Sequence, residues 1–306
     1  MCEKVSQGAV RFESGNVKAI KMPSLARPLL MTDKAVMNDP FFGVREYPVH
    51  AALTPFVKCI WSQESGGAIF REGRERILPD SCVELVIHFR DPFLTHFPDG
   101  TSAVQPQSFV VGQMKRFLEI EPAGRIGLIA IRFRARGAYL FFQRPLSEVA
   151  AGIVDLGDIW KEQASELTER IATTRGMEAR VRIIEEALLW LLSRTDRYDH
   201  TVDQGLRLID ANRGQLNVAQ LAAHLGVSNR NLTRRFQHAV GLSPKEFARV
   251  SRFLNVIRCL SDREFPSLTE TALECGYYDQ AHFNHEFRDI AGMAPREFFN
   301  FPGVVF

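Results

Sequence analysis

The chain has 306 residues, 45% hydrophobic and 24% charged, with a formal net charge of +2. These values suit a globular protein of two domains and exclude a disordered chain, and no apolar run approaches the ~18 residues of a membrane span. Five cysteines (Cys2, Cys59, Cys82, Cys259, Cys275) are scattered without a C-x-x-C pair, and no charged-then-apolar leader opens the chain, so neither a disulfide framework nor a zinc site is expected and the expected setting is the cytoplasm.

Residues 1–42 mix Lys, Ser, Gly and Pro with little periodicity and read as a mobile arm. Short apolar or β-branched runs follow at Lys58–Trp61, Cys82–Phe89, Ser108–Val111 and Ile126–Phe133. Turn signals separate them at Pro79-Asp80, Asp91-Pro92, Pro98-Asp99-Gly100 and Pro122-Ala-Gly124. Short strands so punctuated predict a β-sandwich or a small barrel. After Arg136 the period becomes helical, with stripes at Ile159, Ala164, Leu167, Ile171 and at Val181, Ile184, Leu188, Leu191, Leu192. These helices either cover the strands or pair two chains. The polar stretch 193–200 marks the expected domain boundary.

From there the pattern is almost wholly helical, and it repeats. Asn217 caps a helix from Val218 to Leu225, Gly226 ends it in a left-handed turn, and Ser228 caps the next. In that next helix Leu232, Phe236 and Ala239 face inward. Arg230, Thr233, Arg234 and Gln237, spaced i, i+3, i+4 and i+7, face outward. Arginine suits guanine O6 and N7, and Thr and Gln suit other base edges, so this face fits a DNA major groove. Asn231 and Arg235 flank it and are placed for phosphates. A solvated surface helix would read the same way in one copy. The second copy decides against that: Ala272, Gly276, Phe283, Phe287, Gly292 and Pro295 repeat the landmarks of the first, with one more residue between glycine and phenylalanine. Stripes at Leu221, Leu225, Leu232, Phe236 and at Leu273, Phe283, Phe287, Ile290 supply two cores. Phe247, Phe253 and Ile257 on one long helix join them.

Leu221-Ala222, Gly226-Val-Ser228, Leu232-x-x-x-Phe236, Gly241-x-Ser-Pro244, Arg249, Ala272-x-x-x-Gly276-Tyr277, Phe283-x-x-x-Phe287 and Gly292-x-x-Pro295 resemble the AraC-type family of bacterial transcription regulators over about residues 205–300. The resemblance puts base contacts on Arg230, Thr233 and Arg234, and on Gln280, His282 and His285, with Asn284 counted among the DNA-binding residues. Ala281, Asp279 and Glu286 depart from the family's more polar or basic pattern. Ile77-Leu-Pro-Asp80-Ser-Cys-Val-Glu84, Val111-Gly112-Gln113 and Ile131-Arg-Phe133 resemble, more loosely, the cupin-like barrel that precedes such units. The resemblance thus implies an α+β chain: an arm over 1–42, a cupin-like β-barrel sensor with covering helices over 43–200, and over 201–306 an all-α domain of two helix-turn-helix units joined by a long helix. Double-stranded DNA is the expected partner, with RNA polymerase and a second copy of the chain as candidates.

Charge divides the two units. Residues 213–258 carry eight basic side chains against Glu246 alone, a net +7, and residues 259–306 carry three against eight acidic, a net −5. Phosphate attraction is therefore expected from the first unit and the connecting helix, with the second unit binding weakly or facing a protein.

In the barrel, Trp61, Glu84, His88 and Arg132 are the candidate ligand contacts, since a mostly apolar pocket with a few polar groups holds small molecules. His88 reads equally as a hydrogen-bonded strand residue, Asp80 as a turn and Arg132 as a snorkelling core arginine. With only His50, His88 and His96 available and no His-x-His pair, no metal, cofactor or catalytic cluster is expected. The sequence reading is a non-enzymatic DNA-binding regulator, modulated by a small-molecule effector. The alternatives are a ligand-free regulator governed by protein contacts and an enzyme barrel fused to a DNA-binding unit.

Overall fold

The computed structural model describes residues 44–65, 73–142, 144–150, 152–261 and 267–299, so the expected arm lies outside the described residues. Ten strands come first, interrupted late by one helix. They are β1 (Val44–Tyr47), β2 (Val57–Glu64), β3 (Glu75–Ile77), β4 (Cys82–His88), β5 (Phe93–His96), β6 (Ser102–Val104), β7 (Ser108–Val111), β8 (Leu118–Pro122), β9 (Gly127–Arg134) and β10 (Ile153–Asp155), with helix α1 (Ala138–Phe142) and a 3-10 turn (Leu146–Glu148) before β10. The expected barrel does not close. Among the described residues the strands form two antiparallel sheets, β1-β2-β9-β4-β7-β10 and β3-β8-β5-β6, whose edges are not hydrogen-bonded to each other.

Alternation along β9 shows why both faces of the larger sheet are apolar. Ile129, Ile131 and Phe133 join Ile60, Val83, Leu85 and Ile87 on one face. Leu128 and Ala130 join Cys59, Trp61, Val86 and Phe109 on the other, which meets Phe93 and Ile120 of the smaller sheet. Helices cover the first face: α2 (Leu156–Trp160), α3 (Glu162–Thr173) and α4 (Met177–Leu192), the last turning Met177, Val181, Ile184, Leu188 and Leu191 inward. The helical stripes therefore cover strands within one chain. The runs predicted as strands are mostly buried, and three of the four, β2, β4 and β9, have seven or eight residues. The strands that sequence reading missed, β1, β3, β5, β6, β8 and β10, have three to five residues and little alternation to detect.

The C-terminal helices are α5 (His200–Ala211), α6 (Val218–His224), α7 (Asn229–Ala239), α8 (Pro244–Ser261), α9 (Leu268–Glu274), α10 (Gln280–Ala291) and α11 (Pro295–Phe299). Leu221, Leu232, Phe236 and Phe247 centre one core, and Phe253, Phe283, Phe287 and Ile290 the other. Leu273 departs from its expected inward stripe and is 55% exposed. In this short helix Ala272 and Thr271 are the buried residues, one turn-face away. No helix among the described residues is long and apolar enough to cross a membrane.

Candidate nucleic-acid interface

The two helix-turn-helix units repeat down to individual backbone hydrogen bonds. In the first, Leu225 N–H donates to Leu221, Gly226 N–H to Ala223 and Val227 N–H to Ala222. In the second, Cys275 donates to Thr271, Gly276 to Leu273 and Tyr277 to Ala272. Gly226 and Gly276 both have positive φ, 66° and 82°, as this helix-terminating turn demands. After the turn, Ser228 Oγ accepts from Asn231 N–H and Asp279 Oδ1 from His282 N–H, capping α7 and α10. The offset between copies rises from 50 to 51 between Val227/Tyr277 and Ser228/Asp279, so the additional residue is Tyr278, which is 88% exposed beside the start of α10. Asn217 caps α6 as expected, and Gln220 returns a bond to it, completing a capping box.

On α7, Arg230, Arg234 and Gln237 are exposed and Thr233 half-buried, while Leu232 and Phe236 are fully buried. Neither Arg230 nor Arg234 has an ion-pair partner among the described residues, and both lie on the solvent-facing side of α7. Arg235 is differently placed. Its Nε lies 3.1 Å from Asp199 and its Nη1 donates to Thr201 Oγ1 at 2.8 Å, tying α7 to the start of α5. Asn231 is half-buried, its side-chain oxygen shielded from solvent. On α10, Gln280 and His285 are exposed and Asn284 half-buried. His282 is held locally, its ring against Tyr277 and its Nε2 3.8 Å from Glu286.

The charge arithmetic changes once α8 and α10 are in place. Arg249 reaches Asp289 at 2.5 Å and Glu286 at 3.3 Å, and Arg252 holds Glu286 at 3.1 Å. Spacings of three along both helices set two arginines opposite two carboxylates, so these cations brace the second unit. At this seam the two arginines offset the two carboxylates, so two of the cations counted toward the positive charge of the connecting helix are already paired within the protein.

The ligand candidates fall into two groups. Trp61 Nε1 donates to Glu84 Oε1 at 3.2 Å, and Arg132 Nε donates to the same oxygen at 2.8 Å. Arg132 also lies 3.3 Å from Asp80 Oδ2 and is 3% exposed, so it is a buried paired cation and does not snorkel. Burial alone would lower its pKa, but Glu84 and Asp80 reverse the sign and raise it. Asp80 Oδ1 meanwhile accepts from Cys82 N–H, the turn its sequence context suggests. His88 sits apart on β4, fully buried, its Nε2 3.0 Å from Gln105 Oε1. Burial lowers its pKa below the ordinary 6.5, partly offset by the Gln105 bond. A histidine depressed in the folded state contributes stability that is present above pH 6.5 and lost as pH falls through the folded value. The stability difference between the natural chain and His88→Gln should therefore narrow on acidification from pH 7.5 to 5.5, as read by urea melts. A constant gap would show that folding does not shift the His88 pKa, and a widening one that the folded state binds the proton more tightly.

Residues 221–300 match a family model described as a helix-turn-helix domain, and residues 45–155 match a domain of unknown function, DUF6597. A solved probable AraC family transcriptional regulator from Rhodopseudomonas palustris is 33% identical, covering 33% of this chain and 94% of that one, with a TM-score of 0.30. The chain belongs to the AraC type of helix-turn-helix proteins. Among curated proteins, the HTH-type transcriptional regulator GbdR of Pseudomonas aeruginosa is 30% identical over 91 residues, 29% of this chain. The match spans about a quarter (24%) of that relative's length. ToxT from Vibrio cholerae is 12% identical over 74% of this chain and 96% of its own, with a TM-score of 0.42.

Proposed function

We propose that this chain is a sequence-specific transcription regulator, with residues 201–306 binding double-stranded DNA and residues 43–200 sensing a signal. The observation that carries this reading is the exposed, unpaired Arg230 and Arg234 on a helix whose other face is locked by Leu232 and Phe236. Arg230, Thr233, Arg234 and Gln237 read base edges, and Asn231 approaches the backbone beside them. Gln280, His282, Asn284 and His285 form the second reading face. Arg235 acts through α5, holding α7 in position. This reading assigns the chain no catalysis. A second copy of the chain and RNA polymerase are its remaining partners.

The effector site of this proposal lies between the sheets, beside Trp61, Glu84 and Arg132. Asp80 Oδ2 is already paired with Arg132, but Ser81 Oγ beside it and Gln113 Oε1, whose amide nitrogen donates to the Ser81 carbonyl, are buried without hydrogen-bond partners, and such groups favour a bound polar molecule. His88 stands outside that cluster. An effector switches the protein only by binding one arrangement of the two domains better than another.

Selection of binding sites from random duplexes, followed by gel-shift titration, tests the DNA reading. Arg234→Ala should cost about 1–3 kcal/mol on the selected site and relax preference at one base pair. Unchanged affinity and unchanged preference would remove α7 from the interface.

A further inference from the structure

Among the described residues, one pair of thiols is in contact. Cys259, near the end of α8, and Cys275, the residue that closes α9, have their sulfurs 3.9 Å apart. Cys275 is fully buried and Cys259 only partly so. Asn255, one turn before Cys259 on α8 and itself 3% exposed, donates its side-chain N–H to Cys275 Sγ at 3.3 Å. A buried amide thus orients one sulfur toward the other. Cys59 and Cys82 have no such arrangement, because β9 lies between their strands and separates them by roughly 9–10 Å.

We propose that Cys259 and Cys275 form an oxidisable dithiol through which a peroxide controls the second helix-turn-helix unit. The more accessible Cys259 reacts first. Its thiolate attacks the peroxide, an S–O bond forms as the O–O bond breaks, and water leaves once the departing oxygen is protonated. Cys275 then attacks the resulting sulfenic acid. The S–S bond forms, the S–O bond breaks, and a second water leaves with the Cys275 proton. Two thiols give up two electrons and two protons, and one hydrogen peroxide becomes two waters. Burial pushes the Cys275 thiol up to about 12, which leaves the first attack to Cys259; Cys275 resolves because its sulfur is the one in contact.

The bond requires the sulfurs to close from 3.9 Å to about 2.05 Å. That movement draws the end of α9 toward α8 and displaces the Asn255 bond. Cys275 directly precedes Gly276, whose turn leads into Asp279, the cap of α10. Oxidation therefore re-aims the second recognition helix. This consequence rests on the DNA-binding reading above, whereas formation of the bond does not.

The full chain, reduced and then treated with hydrogen peroxide, provides the test. After blocking with N-ethylmaleimide, trypsin places Cys259 in peptide 259–263 and Cys275 in peptide 264–288. The expected product joins these two peptides with the loss of two hydrogens, and dithiothreitol separates them. DNA affinity should fall about tenfold on oxidation and return on reduction, the scale of a lost base contact. Cys259→Ser, at the less buried position, should bind DNA normally when reduced and ignore peroxide. No joined peptide overturns the dithiol, and a joined peptide with unchanged affinity overturns its control of the second unit. A peroxide effect that persists in Cys259→Ser assigns the loss to other residues and also overturns the proposal. If the reduced natural chain selects no DNA sequence, the DNA reading fails while the joined peptide still reports on the dithiol.

Discussion

Arg132→Ala should lower the stability of the sheet domain by about 3–5 kcal/mol, the range found when one partner of a buried ion pair is removed. The reason lies in what remains. Glu84 and Asp80 each approach the guanidinium, and both side chains are less than a fifth exposed. Without Arg132 two carboxylates face each other's charge in an apolar interior lined by Cys59, Trp61 and Val86. Thermal melting would read the loss. Volume is the competing explanation, and a second variant separates the two: Arg132→Met combined with Glu84→Gln and Asp80→Asn keeps most of the bulk and removes the stranded charge. This triple variant should recover most of the deficit. If it melts as low as Arg132→Ala, the loss comes from packing and the ion pair is incidental.

Arg132 also marks the limit of what the sequence makes legible. Alternation along β9 places it on the same face as Leu128 and Ala130, so its direction can be read from the pattern. Its partners cannot, because Asp80 and Glu84 lie about fifty residues earlier and only antiparallel pairing of β4 with β9 sets Glu84 opposite Arg132. Trp61 enters through β2 on the other side of β9. His88 looks similar in the sequence yet is two pleats further along β4, and there it meets Gln105. In the helix-turn-helix units the situation is reversed. Caps, turn glycines and apolar spacing act over four or five residues, so Asn217, Ser228, Gly226 and Gly276 are legible one by one. The failures in that half involve long-range pairing. Arg249 and Arg252 read as cations for DNA because their partners on α10 lie thirty-four or more residues away, and Leu273 reads as core because helical spacing gives a stripe without saying how deep it sits.

The sequence likewise gave no sign of how firmly the sheet domain holds the second unit. Gly241 and Gly292, the equivalent glycines that end α7 and α10, have φ of 91° and 75°. Both face the sheet domain. A Cβ on Gly241 would meet the carbonyl of Leu146, and one on Gly292 would meet the ring of Phe117. Around the first, Tyr139 Oη lies 2.6 Å from His238 Nε2 and Arg136 3.7 Å from Asp203, but the sheet-domain residues that reach this unit's core, Ala135 and Tyr139, are only partly buried. Around the second, Phe117 N–H donates to the Ile290 carbonyl at 2.9 Å, Arg76 donates to the Ala291 carbonyl while covering the Phe117 ring, and Arg116 pairs with Asp289 at 2.6 Å. Leu78, 2% exposed, is part of the same core as Phe253, Phe283 and Phe287. Leu78 lies two residues before Asp80, so the ligand candidates and the second unit share one short segment of chain.

These contacts predict unequal independence of the two units. A fragment starting at Thr201 should fold, because the first unit's core is built from Val202, Leu206, Leu221, Leu232 and Phe236 within the fragment itself. Its second unit loses Leu78 and Phe117 and should open more readily. Amide hydrogen exchange over residues 268–299 should then run faster in the fragment than in the full chain, with residues 218–242 changing little. Leu78→Ala in the full chain should reproduce that pattern at a cost of about 2–5 kcal/mol, the range for deleting a buried leucine side chain. Because the substitution sits in the sheet domain, accelerated exchange in α9 and α10 can arise only through the contact described. Equal protection of both units in the fragment, or a Leu78→Ala effect confined to residues 44–134, would show that the sheet domain touches the second unit without supporting it.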